Sequence, residues 1–194
     1  MIKSFRFLAV FALLAACGGP SNAPPSRLDN ACSIVAERPG WHKDMRRVER
    51  KWGVPVHVQM ATLYQESKFD GDARTPYRFS LGVIPMGRQS SAYGFSQAID
   101  STWKEYQRAE GGRGAKRDRF DDAVDFMGWY MDGSEQRLGI SKYDVRNQYL
   151  AYHEGRTGYA RGSYRKKSWL MRISDDVARR ADMYQFQLIS CGKN

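Results

Sequence analysis

Met60-Ala61-Thr62-Leu63-Tyr64-Gln65-Glu66-Ser67-Lys68-Phe69 is the stretch on which both the fold and the chemistry of this chain turn. Upstream of it, Gly53 is a stop for a preceding helix, and Pro55 stands where a first helical turn tolerates proline. Val56, Met60, Leu63 and Tyr64 recur at helical spacing, which predicts a helix from Pro55 to about Phe69 with one apolar stripe. At about 100° per residue, Glu66 falls on the edge of that stripe, one turn from the helix end. A carboxyl there is partly desolvated and faces the negative end of the helix dipole, and both effects favour its protonated form. General-acid cleavage of a glycosidic bond requires such an acid, still protonated near neutral pH. Taken alone, a glutamate near a helix end is more often a solvated surface charge.

Two further blocks change that balance. Glu66-Ser67 is followed by Ala92-Tyr93-Gly94-Phe95-Ser96-Gln97 and then by Ala151-Tyr152-His153-Glu154-Gly155. In order and spacing these resemble the three blocks of the soluble-lytic-transglycosylase-like domain, which is related in fold to goose-type lysozyme. Those blocks are a Glu-Ser pair, Gly-Leu-Met-Gln and Ala-Tyr-Asn. The resemblance covers about residues 42 to 160. It implies a single, mainly α, lysozyme-like domain acting on peptidoglycan glycan strands without a cofactor. Glu66 matches the family's single catalytic carboxyl, which cleaves between N-acetylmuramic acid and N-acetylglucosamine and leaves a 1,6-anhydro end. The acid later serves as base on the C6 hydroxyl, and the substrate's own N-acetyl group stabilises the developing positive charge.

The other matched positions are candidates for substrate contact. Ser67 closes the first block, and its hydroxyl can bond the carboxyl or the substrate. Tyr93 stands in the second block, Gln97 closes it as a partner for an N-acetyl group or a sugar hydroxyl, and Gly94 permits close backbone approach. Tyr152 matches the third-block tyrosine, whose phenol can orient Glu66 and contact the sugar; a core aromatic is the plainer role. Phe95-Ser96 stands where Leu-Met is usual, a packing change, and His153 replaces asparagine. Asp70, Asp72 and Glu154 are candidate second acids, and one of them facing Glu66 across a cleft would permit hydrolysis by water. Glu154 precedes a glycine at a helix end, where a solvated charge is the expectation.

The first sixteen residues read as an export leader: Lys3 and Arg6, an apolar run from Phe7 to Leu14, then Ala15-Ala16. Leu14-Ala15-Ala16-Cys17 resembles the lipobox of bacterial lipoproteins, in which the cysteine is lipidated and becomes the mature N-terminus. Gly18 rather than aspartate follows, which points to the periplasmic side of the outer membrane. Residues 17–30, rich in Gly, Pro, Ser and Asn, read as a flexible tether, and 31–194 as the folded domain. With Cys17 lipidated, Cys32 and Cys191 remain as an even pair in an oxidising compartment, and a disulfide between them would close the domain end to end. The cysteines and the three histidines show no ligand spacing, so no metal site is expected.

Helices are expected over His42–Trp52, from Ser101 with Asp100 as cap, over Arg119–Leu138 with Asp118 as cap, over Lys142–His153 with Ser141 as cap, and from Trp169 to about Leu188 with Ser168 as cap. Tyr77 to Arg88 has no helical period and is expected as a loop or short hairpin. It either lines a sugar groove or tucks into the core. The formal charge is +10, and loss of Lys3 and Arg6 with the leader leaves +8. The excess lies after the third block, in residues such as Arg161, Arg165, Lys166, Lys167 and Arg172. Nucleic acid is the usual partner of such a stretch, but an export leader places the chain away from it. Peptidoglycan stems and lipid headgroups are anionic and available outside the cytoplasm, while a solvated basic face needs no partner. The sequence carries no signal for an oligomeric state. Two rival functions remain, a muramidase that adds water and a non-catalytic wall-binding lipoprotein that keeps the fold.

Overall fold

Trp41, Met45 and Val48 lie four and three residues apart, so they share one face of a helix, and all three are buried. This helix, α2 (Pro39–Trp52), starts at a proline and stops at Gly53, whose left-handed φ of 72° closes the last turn. The computed structural model describes residues 22–193. The leader and Cys17 lie outside the described residues. A short helix, α1 (Ala31–Glu37), precedes α2 and is capped by the Asn30 side chain, which accepts from the Ser33 N–H. Next come α3 (Val56–Ser67), the antiparallel strands β1 (Tyr77–Ser80) and β2 (Ile84–Arg88), and α4 (Asp100–Tyr106), which runs on into a π-helical turn at Gln107–Gly111. Helices α5 (Phe120–Leu138), α6 (Val145–Ala160) and α7 (Ser168–Ser190) complete the chain, with a 3-10 turn at Ser163–Lys166 before α7. The fold is mainly helical, as expected, and its described strands form one hairpin. No described helix is long and apolar enough to cross a membrane.

Helix α3 is central, packed against α7, α2 and α5. The expected single stripe is corrected here. Buried residues run almost continuously from Val56 to Leu63, His57, Gln59 and Thr62 among them. The polar members are tolerable inside because they bond to backbone: Gln59 Nε2 donates to the Met45 and Val54 carbonyls, and Thr62 Oγ1 to that of Val58. The helix ends at Ser67, two residues sooner than predicted, because Lys68 and Phe69 both take left-handed φ angles, 55° and 61°. Non-glycine residues adopt that region at a cost. Here the fully buried Phe69 ring, stacked at 6.3 Å on Trp41, offsets it.

Several caps also differ from expectation. Asp100 is the first residue of α4 rather than its cap and pairs with Arg117 at 2.8 Å. Asp118 instead accepts from the Tyr93 hydroxyl at 3.0 Å, and α5 starts without a side-chain cap. Asp144 rather than Ser141 caps α6, accepting from the Asn147 N–H at 3.1 Å. Ser168 lies inside α7. A competing partner takes each expected capping group, or the helix begins a few residues away from it.

The chain before α1 is not a free tether over its described part. Ser26 donates through N–H and Oγ to Glu37, at 3.0 and 2.9 Å, and Pro25 is buried. Arg180 pairs with Asp29 at 2.6 Å, and the Tyr184 hydroxyl donates to the Leu28 carbonyl. Residues 22–30 are therefore docked on the domain, and the expected boundary at residue 31 moves towards the N-terminus. Cys32 on α1 is joined to Cys191, just past α7, across 159 residues.

The 77–88 segment is a hairpin, and the core-tucked alternative fails: its large apolar side chains are exposed.

Candidate active site

Three blocks far apart in sequence meet around a cavity of about 510 Å³. Its wall takes Glu66 from α3, Thr75, Ser90 and Ala92 from the foot of the hairpin, Gln97–Ile99 from the following loop, Phe126 and Tyr130 from α5, and Tyr152–Gly155 from α6. Glu66 reaches it because α3 stops one residue later, so its last turn opens on the cavity instead of continuing under the core.

Burial pushes the Glu66 carboxyl up to about 7, and a hydrogen bond from Tyr149 and the Lys68 charge pull it back only in part. Its Oε1 is buried and has no hydrogen-bond partner. An ionised carboxylate with an oxygen in that position lacks solvation, which favours the protonated form. The upward direction agrees with the stripe-edge half of the sequence argument, since loss of water is its cause; the helix dipole is not among the causes.

Tyr149 is the partner that sequence reasoning missed. It is buried, interacts with Glu66, and keeps its own proton because burial and the neighbouring carboxylate push its phenol far up. The signal was available: Tyr149 and Tyr152 are three apart on one helix and share a face. Tyr152 spends its hydroxyl elsewhere. It donates to the Ser96 carbonyl at 2.7 Å, tying the third block to the second, while its ring packs edge-on against Tyr130 at 5.2 Å.

The second block is a folded loop whose backbone is tightly held. Gln97 lines the cavity with φ 49°, and its Nε2 donates to the carbonyls of Gly94 at 2.8 Å and Ala73 at 3.0 Å, so its carbonyl oxygen is the end left for a ligand. Gly94 has φ 76°, and a Cβ there would lie 2.1 Å from the Arg117 carbonyl oxygen. The expected close approach is thus to the protein's own backbone. Gly94→Ala should lower stability by about 3 kcal/mol or more, since backbone atoms cannot move aside. Gly82→Ala, with φ 76° but open space around it, should cost only about 1 kcal/mol. Thermal denaturation of the two variants checks the contrast; equal losses would mean that left-handed strain alone is at work.

Of three further expected contact residues, two lie off the wall and one is on it. Ser67 does not line the cavity; its hydroxyl donates back to the Leu63 carbonyl at 3.3 Å. Tyr93 is likewise off the wall, under the Arg74 guanidinium at 3.9 Å. His153 is exposed and on the wall, with its ring edge-on to Trp169 at 5.4 Å and Nδ1 3.3 Å from Glu154.

Glu154 corrects the sequence reading most sharply. Its side chain is only 4% exposed, and it accepts from Lys167 Nζ at 2.7 Å and from Ser163 Oγ. Burial pushes the carboxyl up, but the bonds from Lys167, Ser163 and His153 outweigh that and hold it below its ordinary value. It is an ionised clamp between α6 and the turn before α7. Asp70 and Asp72 do not line the cavity; Asp70 accepts from the Asp72 N–H at 2.9 Å. Among the described residues, no three His, Cys, Asp or Glu side chains are grouped to hold a metal.

No curated protein matches the chain. A family model described as "Transglycosylase SLT domain" matches residues 5–191, nearly its whole length. By that match the chain belongs to the transglycosylase SLT domain family.

Proposed function

We propose that the protein is a peptidoglycan lytic transglycosylase in which Glu66 is the sole acid and base. One observation carries the reading: a carboxyl half-protonated near neutral pH lines a cavity whose other carboxyl is ionised and neutralised by Lys167. Glu66 gives its proton to the glycosidic oxygen as the C1–O bond breaks, and the substrate's N-acetyl oxygen supports the positive charge at C1. The Glu66 carboxylate then removes the C6 hydroxyl proton, and O6 bonds to C1. The 1,6-anhydro ring closes, and Glu66 has its proton back for the next cycle. Tyr149 steadies the carboxyl through both steps.

A muramidase is the second reading, and Glu154 is what favours it, as an ionised carboxylate on the same cavity wall. Its oxygens are already engaged by Lys167 and Ser163, which makes it a poor base for water. Mass analysis of muropeptides released from purified peptidoglycan decides between them. Anhydro ends are expected; reducing ends would establish the muramidase, and no release would establish the non-catalytic wall binder. The leader pattern further supports lipidation of Cys17 and residence on the periplasmic side of the outer membrane, with glycan strands rather than nucleic acid as partner.

A further inference from the structure

The hairpin is anomalous for a surface element. Tyr77, Phe79, Leu81, Val83, Ile84 and Met86 are each between 51% and 88% exposed. Contiguous apolar surface of this kind marks an interaction site. Its charge is one-sided: from residue 73 to residue 99 the chain has Arg74, Arg78 and Arg88 and no acidic residue. Arg88 stacks at 4.4 Å on the Tyr77 ring and donates to the Thr75 carbonyl at 2.7 Å, which keeps it near the hairpin's foot and away from the tip.

The described chain begins at that same foot. The Gly71 N–H donates to the Asn22 carbonyl at 2.8 Å, and Asn22 Nδ2 lies 3.5 Å from Asp72. Five residue steps separate Asn22 from Cys17, a reach of at most about 18 Å. From Thr75 to Leu81 the hairpin rises about 20 Å. A lipid on Cys17 and the hairpin tip can therefore enter one leaflet together.

We propose that the hairpin is a second membrane contact, its aliphatic tip entering the bilayer interface and its arginines meeting anionic headgroups. The inference rests on the reading of Cys17 as lipidated and is independent of the reaction at Glu66. Glycan is a poorer occupant, because Leu81, Val83, Ile84 and Met86 offer a sugar neither hydrogen bonds nor an aromatic face. Pairing with a strand of another protein is hindered by Pro85, which has no N–H to give. Since Thr75, Ser90 and Ala92 at the foot also line the cavity, insertion would fix the height and orientation of the cleft above the membrane.

The test uses the full chain after export and processing, with an environment-sensitive fluorophore on Leu81→Cys, the native cysteines being disulfide-bonded or lipidated. A matched label on Tyr143→Cys, an exposed position before α6, is the control. On vesicles of phosphatidylethanolamine with one-third phosphatidylglycerol, the label at 81 should brighten, shift to the blue and be quenched by nitroxide-bearing lipids, while that at 143 stays in water. Moving the label to Val83→Cys and adding Leu81→Asp, Ile84→Asp and Met86→Asp should abolish the signal with the fold intact, as these side chains pack on nothing in the core. A label at 81 that behaves like the control overturns the proposal, and so does one that responds to purified sacculi but not to vesicles. Intact mass reports lipid on Cys17 separately, so a missing anchor and a non-inserting hairpin are different results.

Discussion

Glu66→Gln should reduce peptidoglycan cleavage by at least about 10³-fold while leaving the fold intact. The substitution keeps the side chain's shape and removes the one proton that the proposed reaction first gives and then takes back. Glycan binding should persist, because the cavity wall from Gln97 to Tyr152 is unchanged. Wild-type activity should fall as pH rises past about 7, where the protonated form of Glu66 is lost. The same variant makes a prediction about stability. Glu66 holds its proton up to about 7 when folded, against an ordinary 4.5. The contribution of Glu66 to stability therefore falls as pH climbs from about 4.5 to about 7, by about 3 kcal/mol, and falls no further above that. A neutral glutamine escapes this loss. Glu66→Gln should then be the more stable protein at pH 8 and hold no advantage at pH 4, read by denaturant unfolding at both values. Glu154→Gln is the control: it unclamps Lys167 and should lower stability, yet retain the capacity to make anhydro ends. Substantial cleavage by Glu66→Gln, with none by a folded Glu154→Gln, would transfer the chemistry to the other carboxyl.

Removing the disulfide should have the largest effect on stability. Cys32 and Cys191 close nearly the whole domain, 159 residues apart, so the bond chiefly restricts the unfolded chain. Cys32→Ser with Cys191→Ser should cost about 4 kcal/mol, a fall of roughly 10 °C in Tm for a domain of this size. The native structure should survive at room temperature, because α1 and α7 are held by other bonds as well. Gln187 accepts from the Ala31 N–H at 2.7 Å and donates to the Asp29 carbonyl at 3.0 Å. Calorimetry of the variant beside the reduced wild type checks this, and the two should melt together. A variant that melts with the oxidised wild type, or two thiols titrating in the native unreduced protein, would remove the disulfide from the account.

What the sequence determined by itself was local or a matter of spacing. Gly53 and Gly139 end helices where they are expected because a left-handed residue after the last turn is a property of a few neighbouring residues. Glu66 was legible as the candidate acid from its place near a helix end together with the two blocks that follow it, and the cysteine pair from a count. Tertiary structure decided everything that depended on what a side chain meets across the fold. Glu154 looks solvated beside a glycine, yet Lys167 and Ser163, more distant in sequence, bury it as a charge. Tyr152 looked like the partner of Glu66, but the Ser96 carbonyl takes its hydroxyl, and Tyr149, one turn earlier, stands beside the carboxyl instead. The hairpin's apolar residues carry the same hydropathy whether tucked into a core or bare in solvent, and only the packing of α2, α3 and α5 without them leaves them outside. Helical period and turn chemistry act over a few residues and can be read along the chain, whereas burial of a polar or apolar group is set by partners that folding alone brings together.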